Sequence, residues 1–206
     1  MEDILEVYQG PYDPDFPVVC MDESSKQLVG EVAEPICMTE NHCELIDHEY
    51  VRNGVATIFA EVEPLGGRRH IEITERRTSQ DWAKFVQQML DERYRHASKV
   101  ILVLDNLNTH KIASLYETFP PEEAKRLADR LELHFTPIHG SWLNICEIEL
   151  SVLSRQCLNR RIGTMETIKS EVEKWQRDRN NKEASINWRF TNEKARIKLK
   201  RLYPKL

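Results

Sequence analysis

Two short apolar runs each end in an aspartate, and this feature constrains the fold more than any other in the chain. Residues 17–21 (PVVCM) are followed by Asp22, and residues 100–104 (VILVL) are followed by Asp105. Runs of this length and composition are typical of buried strands. A carboxylate at the end of such a strand costs free energy unless a cation or a hydrogen-bond partner offsets its charge. The pattern therefore predicts two buried strands whose acidic ends have a specific role.

The rest of the chain predicts an α/β fold built on a mixed sheet. Hydrophobic alternation predicts strands at 54–63 and 70–74, joined by a turn at 64–67, and a further strand at 133–137. Helical spacing predicts helices from Thr78 or Ser79, from Pro120, and over 143–158, 165–179 and 191–202, whereas residues 1–15 and 23–48 show no regular pattern. Three strands precede the first helix, and strand–helix alternation follows. This order favours three antiparallel strands, then parallel strands, with helices on both faces.

The same order brings acidic residues together. The first and fourth strands lie side by side in such a sheet, and ligand sites favour the carboxyl ends of parallel strands, so Asp22 and Asp105 are expected to be neighbours. A third acid, Glu147, opens the predicted helix at 143–158. Three carboxylates in one place predict a pocket for a divalent metal, which is the kind of site that cuts and joins phosphodiester bonds.

Each of these acids also has a purely structural explanation. Asp22 can cap a strand end by accepting backbone N–H groups, and Asp105 can begin a turn. Glu147 can be a solvated helix residue, and Glu149 competes with it, because residues two apart on a helix point to nearly opposite sides. The neighbours of Glu147 on its helix face are small and polar, which leaves room for a metal: Asn144, Ser151 and Ser154.

Composition limits the remaining possibilities. The chain has 206 residues, 40% of them hydrophobic and 31% charged, which predicts a folded domain with a core. No apolar stretch approaches the roughly 20 residues of a membrane span, and the N-terminus lacks the pattern of a signal peptide, so we expect a cytoplasmic protein without membrane contact. Five scattered cysteines do not suggest a disulfide framework. The net charge of −5 disfavours nucleic-acid binding, but basic residues are concentrated between Arg189 and Lys205.

Four segments together resemble the catalytic domain of a bacterial insertion-sequence transposase of the mariner-like superfamily. They are VCMDES at 19–24, HEYVRNG at 48–54, LDNLNTH at 104–110 and SWLNICE at 141–147, and the C-terminal WRFT with ARIKL adds to the likeness. The resemblance covers nearly the whole chain. It implies the ribonuclease-H-like fold and an Asp-Asp-Glu catalytic triad at Asp22, Asp105 and Glu147.

The resemblance also implies a cofactor and a reaction. Two Mg²⁺ or Mn²⁺ ions are expected, with Asp22 bridging them, Asp105 holding one and Glu147 the other. Water attacks at the transposon end, and the freed 3′-hydroxyl then attacks target DNA at the same site. The implied organisation is a lead-in at 1–15, a catalytic domain at 16–180 and a basic helical tail at 181–206.

Further residues are candidates for supporting roles. Asn106 and Asn144 are expected to orient the carboxylates. His110 contacts DNA phosphate or caps the following helix, and Trp142 stacks on a base or packs in the core. The basic tail is expected to contact DNA phosphates, through Arg196, Lys198, Lys200 and Arg201.

The sequence is compatible with three functions. The leading hypothesis is a transposase catalytic domain that acts on transposon ends and target DNA. The alternatives are a ribonuclease-H-like nuclease that only hydrolyses, and an inactive transposase remnant that only binds DNA or a partner. The sequence before Asp22 is too short for a helix-turn-helix module, so we expect end recognition to depend on a separate helix-turn-helix subunit. A homodimer is expected, because two transposon ends must be brought together.

Overall fold

A five-stranded mixed sheet lies at the centre of the protein. The computed structural model describes residues 1–33, 35–43, 45, 47–107 and 109–203. The strands follow the order β3-β2-β1-β4-β5 across the sheet. The first three pair antiparallel, and β1, β4 and β5 pair parallel, as the order of elements predicts. The strands are β1 (Val18–Glu31), β2 (Tyr50–Glu63), β3 (Arg68–Thr74), β4 (Val100–Leu104) and β5 (Leu131–Phe135).

Helices cover both faces of this sheet, which confirms the second part of the prediction. Two of them, α2 and α5, continue into a π-helical turn, at Met89–Arg93 and Ser154–Leu158. A 3₁₀ turn at Ser141–Leu143 precedes α5. The helices are α1 (Glu2–Gln9), α2 (Ser79–Gln88), α3 (Ile112–Thr118), α4 (Pro121–Asp129), α5 (Ile145–Leu153), α6 (Met165–Asn181) and α7 (Asn192–Lys198).

Strand alternation divides the core into two layers. Val19 and Met21 of β1 and Leu102 of β4 pack with α2, α3 and α4 on one face. Cys20 and Val103 point the other way and pack with α1, α5 and α7. Successive side chains of a strand point to opposite faces, so an apolar run without polar gaps is what a strand buried on both sides requires.

A capping box fixes the start of α2 where the sequence predicts it. The Thr78 hydroxyl accepts a hydrogen bond from the Asp81 backbone N–H at 3.2 Å, and the Asp81 carboxylate accepts one from the Thr78 N–H at 2.8 Å. This reciprocal pair satisfies two backbone donors that the helix leaves free. The cap orients a helix whose Trp82 and Phe85 are buried in the core.

The expectation of no regular structure over residues 1–15 is wrong. Residues 2–9 form α1, and its Ile4 and Leu5 are fully buried. Helical spacing of Ile4, Leu5 and Tyr8 places all three on the face that packs against the sheet. Ala195 of α7 is buried in the same cluster, so the predicted basic tail contacts the core. The end of that tail, including Lys205, lies outside the described residues.

Two more elements differ from the prediction. β1 continues to Glu31, although residues after Glu23 carry little apolar alternation, because its backbone pairs with β2 as far as Glu31 and Tyr50. α3 occupies residues where no helix was expected, and only Ser114 and Leu115 of it are buried. Hydrophobic periodicity does not predict either element, because neither has a continuous buried stripe. The end of β1 is held by main-chain pairing, and α3 by a few buried side chains.

The length and hydrophobicity of the helices bear on whether one of them could span a membrane. None of those in the described ranges is both long and apolar enough to cross a bilayer.

An ion pair between α1 and β5 predicts a pH dependence of stability. His134 Nδ1 lies 2.8 Å from Asp3 Oδ2, and Nε2 lies 3.1 Å from Glu132 Oε1. Burial lowers the pKa of His134, but the two carboxylates outweigh burial and raise it above 6.5. The folded state then binds more protons than the unfolded state, so this contribution is complete below pH 6.5 and is lost as the pH rises through the raised value.

We expect Asp3→Asn to remove part of that contribution. The variant should lose about 0.5–1 kcal/mol of unfolding free energy at pH 6, because the pair is partly exposed, and the loss should shrink towards pH 8.5. Urea unfolding at both pH values measures it. Asp129→Asn, which removes an exposed carboxylate paired with Lys125, is the matched control. An equal loss for Asp3→Asn at both pH values would contradict the assignment.

Candidate active site

The parallel pairing of β1 and β4 sets two aspartates side by side. Val18 pairs with Ile101, and Cys20 pairs with Val103. Asp22 and Asp105 each lie two residues beyond the last of these pairs, and Asp22 lies on the face to which Cys20 points. The sequence predicted that Asp22 ends its strand, but β1 continues beyond it to Glu31. Asp22 lies where β1 extends beyond its parallel neighbour, so its side chain faces the edge left open by the end of β4.

Asp22 is nearly buried and is held through both carboxylate oxygens. Its side chain is 8% exposed. Oδ1 accepts the Glu23 backbone N–H at 2.8 Å, and Oδ2 accepts the Asn144 amide at 3.3 Å. Burial raises the pKa of Asp22 to about 7, and the negative charges of Asp105 and Glu147 add to the effect. The three acids are therefore close enough to interact electrostatically.

Asn144 connects the start of α5 to β1. Its side chain is fully buried. The carbonyl oxygen caps α5 by accepting the Cys146 N–H at 3.1 Å, and the amide donates to the Met21 carbonyl at 2.8 Å as well as to Asp22. Asn144 therefore contacts the Asp22 carboxylate directly, and its role in orienting that carboxylate stays a prediction. Asn106 is exposed, and within the described ranges no hydrogen bond joins it to any of the three acids.

The structure separates Glu147 from Glu149. Glu149 is 2% exposed and forms ion pairs with Arg69 at 3.0 Å and with Arg179 at 2.9 Å. Its charge is therefore neutralised inside the fold. Glu147 lies in the first turn of α5, is partly exposed, and adds its negative charge to the surroundings of Asp22. Of the two, Glu147 is the carboxylate available to the site.

His110 bridges Asp105 and a residue that the sequence analysis did not identify, Glu23. His110 Nδ1 lies 2.6 Å from Asp105 Oδ1, and Nε2 lies 2.8 Å from Glu23 Oε1. Burial lowers the pKa of His110, but the two carboxylates raise it to about 9. The His110 side chain is fully buried beside Trp82, with ring centroids 5.8 Å apart. This position does not fit the expected contact of His110 with DNA, because both ring nitrogens face carboxylates in the interior.

Trp142 lies at the surface next to the site. It precedes α5 in the 3₁₀ turn and is 41% exposed. Its ring lies 6.4 Å from Trp188 with an angle of 22° between the planes, and 5.8 Å from Phe190 edge-on. One part of the ring therefore packs against the C-terminal aromatic residues while the rest faces solvent, so both explanations offered for Trp142 remain compatible with its position.

The basic residues of the C-terminal segment differ in their surroundings. Arg196 donates two hydrogen bonds to Glu2 of α1, at 2.8 and 2.7 Å, which offset its charge. Lys198, Lys200 and Arg201 are exposed. The expected DNA contact therefore fits these three residues better than Arg196.

The donor set suits a divalent cation in charge and atom type. Asp22, Asp105 and Glu147 offer only oxygen ligands, which Mg²⁺ and Mn²⁺ favour. A bound cation would offset the repulsion that raises the pKa of Asp22. In the ranges that the structure describes, however, no three acidic, histidine or cysteine side chains are close enough to hold one ion as they stand. Coordination therefore requires these carboxylates to move closer together.

Comparison with known proteins identifies the family of this chain. A sequence profile described as DDE superfamily endonuclease matches residues 17–169, which include Asp22, Asp105 and Glu147. The chain belongs to this family. No curated protein matches the sequence.

Solved structures of a transposase are similar to this endonuclease in fold. The Mos1 mariner paired-end complex with Mn has a TM-score of 0.56 and 14% identity, and covers 85% of this chain and 52% of its own. The Mos1 paired-end complex with the left transposon end has a TM-score of 0.52 and 14% identity, over 85% and 53%. The Mos1 strand transfer complex has a TM-score of 0.51 and 14% identity, over 84% and 50%. The ribonuclease-H-like fold is thus confirmed, and the chain spans about half the length of these proteins.

Substitution of the two α5 glutamates should separate structural from functional roles. Glu149→Gln should lower the free energy of unfolding by about 3 kcal/mol, because it leaves the buried Arg69 without its carboxylate partner. Glu147→Gln should change it by about 0.5 kcal/mol or less, because its side chain is partly exposed. Urea unfolding of both variants in metal-free buffer measures this. Equal losses, or a larger loss for Glu147→Gln, would contradict the assignment.

Proposed function

We propose that this DDE endonuclease is the catalytic domain of a DNA transposase, which cleaves phosphodiester bonds at transposon ends and transfers the freed strand into target DNA. The observation that carries the proposal is the β1–β4 register, which sets Asp22 beside Asp105, with Glu147 on the helix that Asn144 ties to β1. The family match supports endonuclease chemistry. The similar Mos1 complexes contain paired transposon ends, which supports DNA ends as substrate.

The proposed cofactor is a pair of Mg²⁺ or Mn²⁺ ions. Asp22, Asp105 and Glu147 would hold them. When bound, such ions lower the pKa of the attacking water and stabilise the charge on the attacking and leaving oxygens. The positive charge of the ions would offset the repulsion among these three carboxylates. This repulsion adds to the effect of burial in raising the pKa of Asp22.

The chain's own residues position these carboxylates. Asn144 holds one oxygen of Asp22 and fixes the first turn of α5, where Glu147 lies. His110 holds Asp105 and is itself held by Glu23, so we assign His110 to positioning and not to DNA contact. A site whose ligands are held by a second layer of hydrogen bonds loses less conformational freedom when it binds.

DNA contact is proposed for surfaces beside the site. Lys198, Lys200 and Arg201 are exposed cations suited to phosphate oxygens. The exposed part of Trp142 offers a ring on which an unpaired base can stack. Arg196 contributes less, because Glu2 offsets its charge.

The proposal extends to the source, the location and the partners of the protein. We infer a bacterial insertion sequence as the source, action in the cytoplasm, and a helix-turn-helix module, on a separate subunit or another part of the protein, that recognises the terminal repeats. A homodimer follows if each copy acts on one of two paired ends. The resemblance of the four sequence segments supports this setting.

Strand transfer provides the direct test. The protein is incubated with supercoiled plasmid and a duplex with a free 3′-hydroxyl, carrying the inverted repeat that flanks the coding sequence, with Mg²⁺ or Mn²⁺. We expect metal-dependent joined products, and a loss of at least about 10³-fold with Asp105→Asn, because the site then lacks a ligand. Gel separation of labelled products measures both.

Asp129→Asn is the matched control for this assay, because it removes an exposed carboxylate on the far helix α4. It should retain the wild-type yield of joined products. Nicking without joining would contradict transfer and favour a nuclease that only hydrolyses. Joined products that survive Asp105→Asn would contradict the proposed site.

A further inference from the structure

A basic cleft lies between the end of the α5 helix and α6. It has a volume of about 470 Å³ and opens to solvent between the π-helical turn at Ser154–Leu158 and the middle of α6. Three cations line it, with a tryptophan and one acid. These residues define the α5–α6 cleft: Arg155, Arg160, Lys174, Trp175 and Glu171.

The cleft carries a net positive charge in a chain whose net charge is −5. Glu171 forms ion pairs with Arg160 and, at 3.3 Å, with Lys174. Arg155 is exposed and makes no ion pair within the part of the chain that the structure describes. Exposed cations grouped around a cleft attract an extended anion, and this attraction is stronger than the whole-chain charge suggests.

Two contacts hold Trp175 on the aromatic side of the cleft. The Trp175 indole N–H donates to Gln156 Oε1 at 2.9 Å, which ties α6 to the π-helical turn. The Arg179 guanidinium lies 5.6 Å from the centre of the Trp175 ring. These contacts fix the position of Trp175 beside the cations of the cleft.

The cleft is continuous with the carboxylate site along one helix face. Ser151, Ser154 and Arg155 follow Glu147 by four, seven and eight residues, which places them on the same side of the helix. Ser151 and Ser154, which lie between Glu147 and Arg155 on this side, are small and exposed. Eight residues at about 1.5 Å each separate the two by roughly 12 Å along the axis.

We propose that the α5–α6 cleft binds the phosphate backbone of the DNA strand that occupies the carboxylate site. At about 3.4 Å of rise per nucleotide, the contact falls about three to four nucleotides from the reacting bond. Arg155 and Lys174 contact phosphate oxygens, and Glu171 holds Arg160 beside them. The cleft sets the path by which the DNA leaves the site. The inference rests on the proposed function for the position of the reacting bond, but not for DNA binding itself.

The salt dependence of DNA binding tests the cleft. The double variant Arg155→Gln/Lys174→Ala removes two cleft cations. Its matched control, Arg177→Gln/Lys182→Ala, removes one arginine and one lysine from exposed pairs of the same region outside the cleft. Fluorescence anisotropy with a labelled duplex gives the slope of log K against log salt. We expect the slope to become smaller by about 2 in the cleft variant and to stay unchanged in the control, since each lost phosphate contact removes about 1.

Uncharged phosphate analogues in the DNA show which phosphates contact the cleft. Single methylphosphonate substitutions are placed along each strand of a pre-cut end, and binding is measured for wild type and for the cleft variant. We expect substitutions about three to four nucleotides from the 3′-hydroxyl to weaken binding to wild type and to have no effect on the cleft variant. Equal melting temperatures of all variants exclude unfolding as the cause.

The outcomes separate the two proposals. If the cleft variant and the control keep the wild-type slope, or if wild type does not bind DNA, the cleft proposal is overturned. If the slope falls only in the cleft variant but wild type neither nicks nor joins DNA, the cleft stands and the proposed catalytic function fails. If the sensitive phosphates lie elsewhere than three to four nucleotides from the end, the proposed path is wrong.

Discussion

The side chain of Asn144 is the interaction on which the candidate site depends. Its oxygen caps α5, and its amide reaches the Met21 carbonyl and the Asp22 carboxylate of β1. One buried amide therefore sets both where the helix starts and how an acidic strand residue is oriented. Because Glu147 lies in the first turn of that helix, its distance from Asp22 follows from the cap. Parallel pairing with β4 adds Asp105, so sheet register and helix capping together fix the three acids.

Two buried acids of the fold are paired with arginines, whereas Asp22 is not. Glu149 is paired with Arg69 and Arg179, and Glu61, only 2% exposed, accepts two hydrogen bonds from Arg93 at 2.6 and 2.9 Å. Asp22 has an amide and a backbone N–H but no basic partner among its contacts in the described chain. Repulsion left in place at one site costs stability, and such local conflicts are common where a protein binds a ligand.

Much of the fold and part of the site could be predicted from the sequence. The apolar runs before Asp22 and Asp105 predicted adjacent strands because a strand buried on both faces needs unbroken hydrophobic residues. The contact between Glu23 and His110 could not be predicted, because it joins residues 87 apart that meet only once the sheet has formed. The length of β1 and the presence of α1 were missed for a related reason. Their stability comes from pairing with β2 and from packing on the sheet, and local periodicity records neither well.

A crystal grown with Mn²⁺ and measured at the manganese absorption edge would test the central claim most directly, that Asp22, Asp105 and Glu147 form one metal site. The account predicts anomalous density bounded by these three carboxylates, with Glu149 still paired with its two arginines. Density beside Glu149, or none near Asp22 in a crystal whose Mn²⁺ concentration saturates binding in solution, would contradict it.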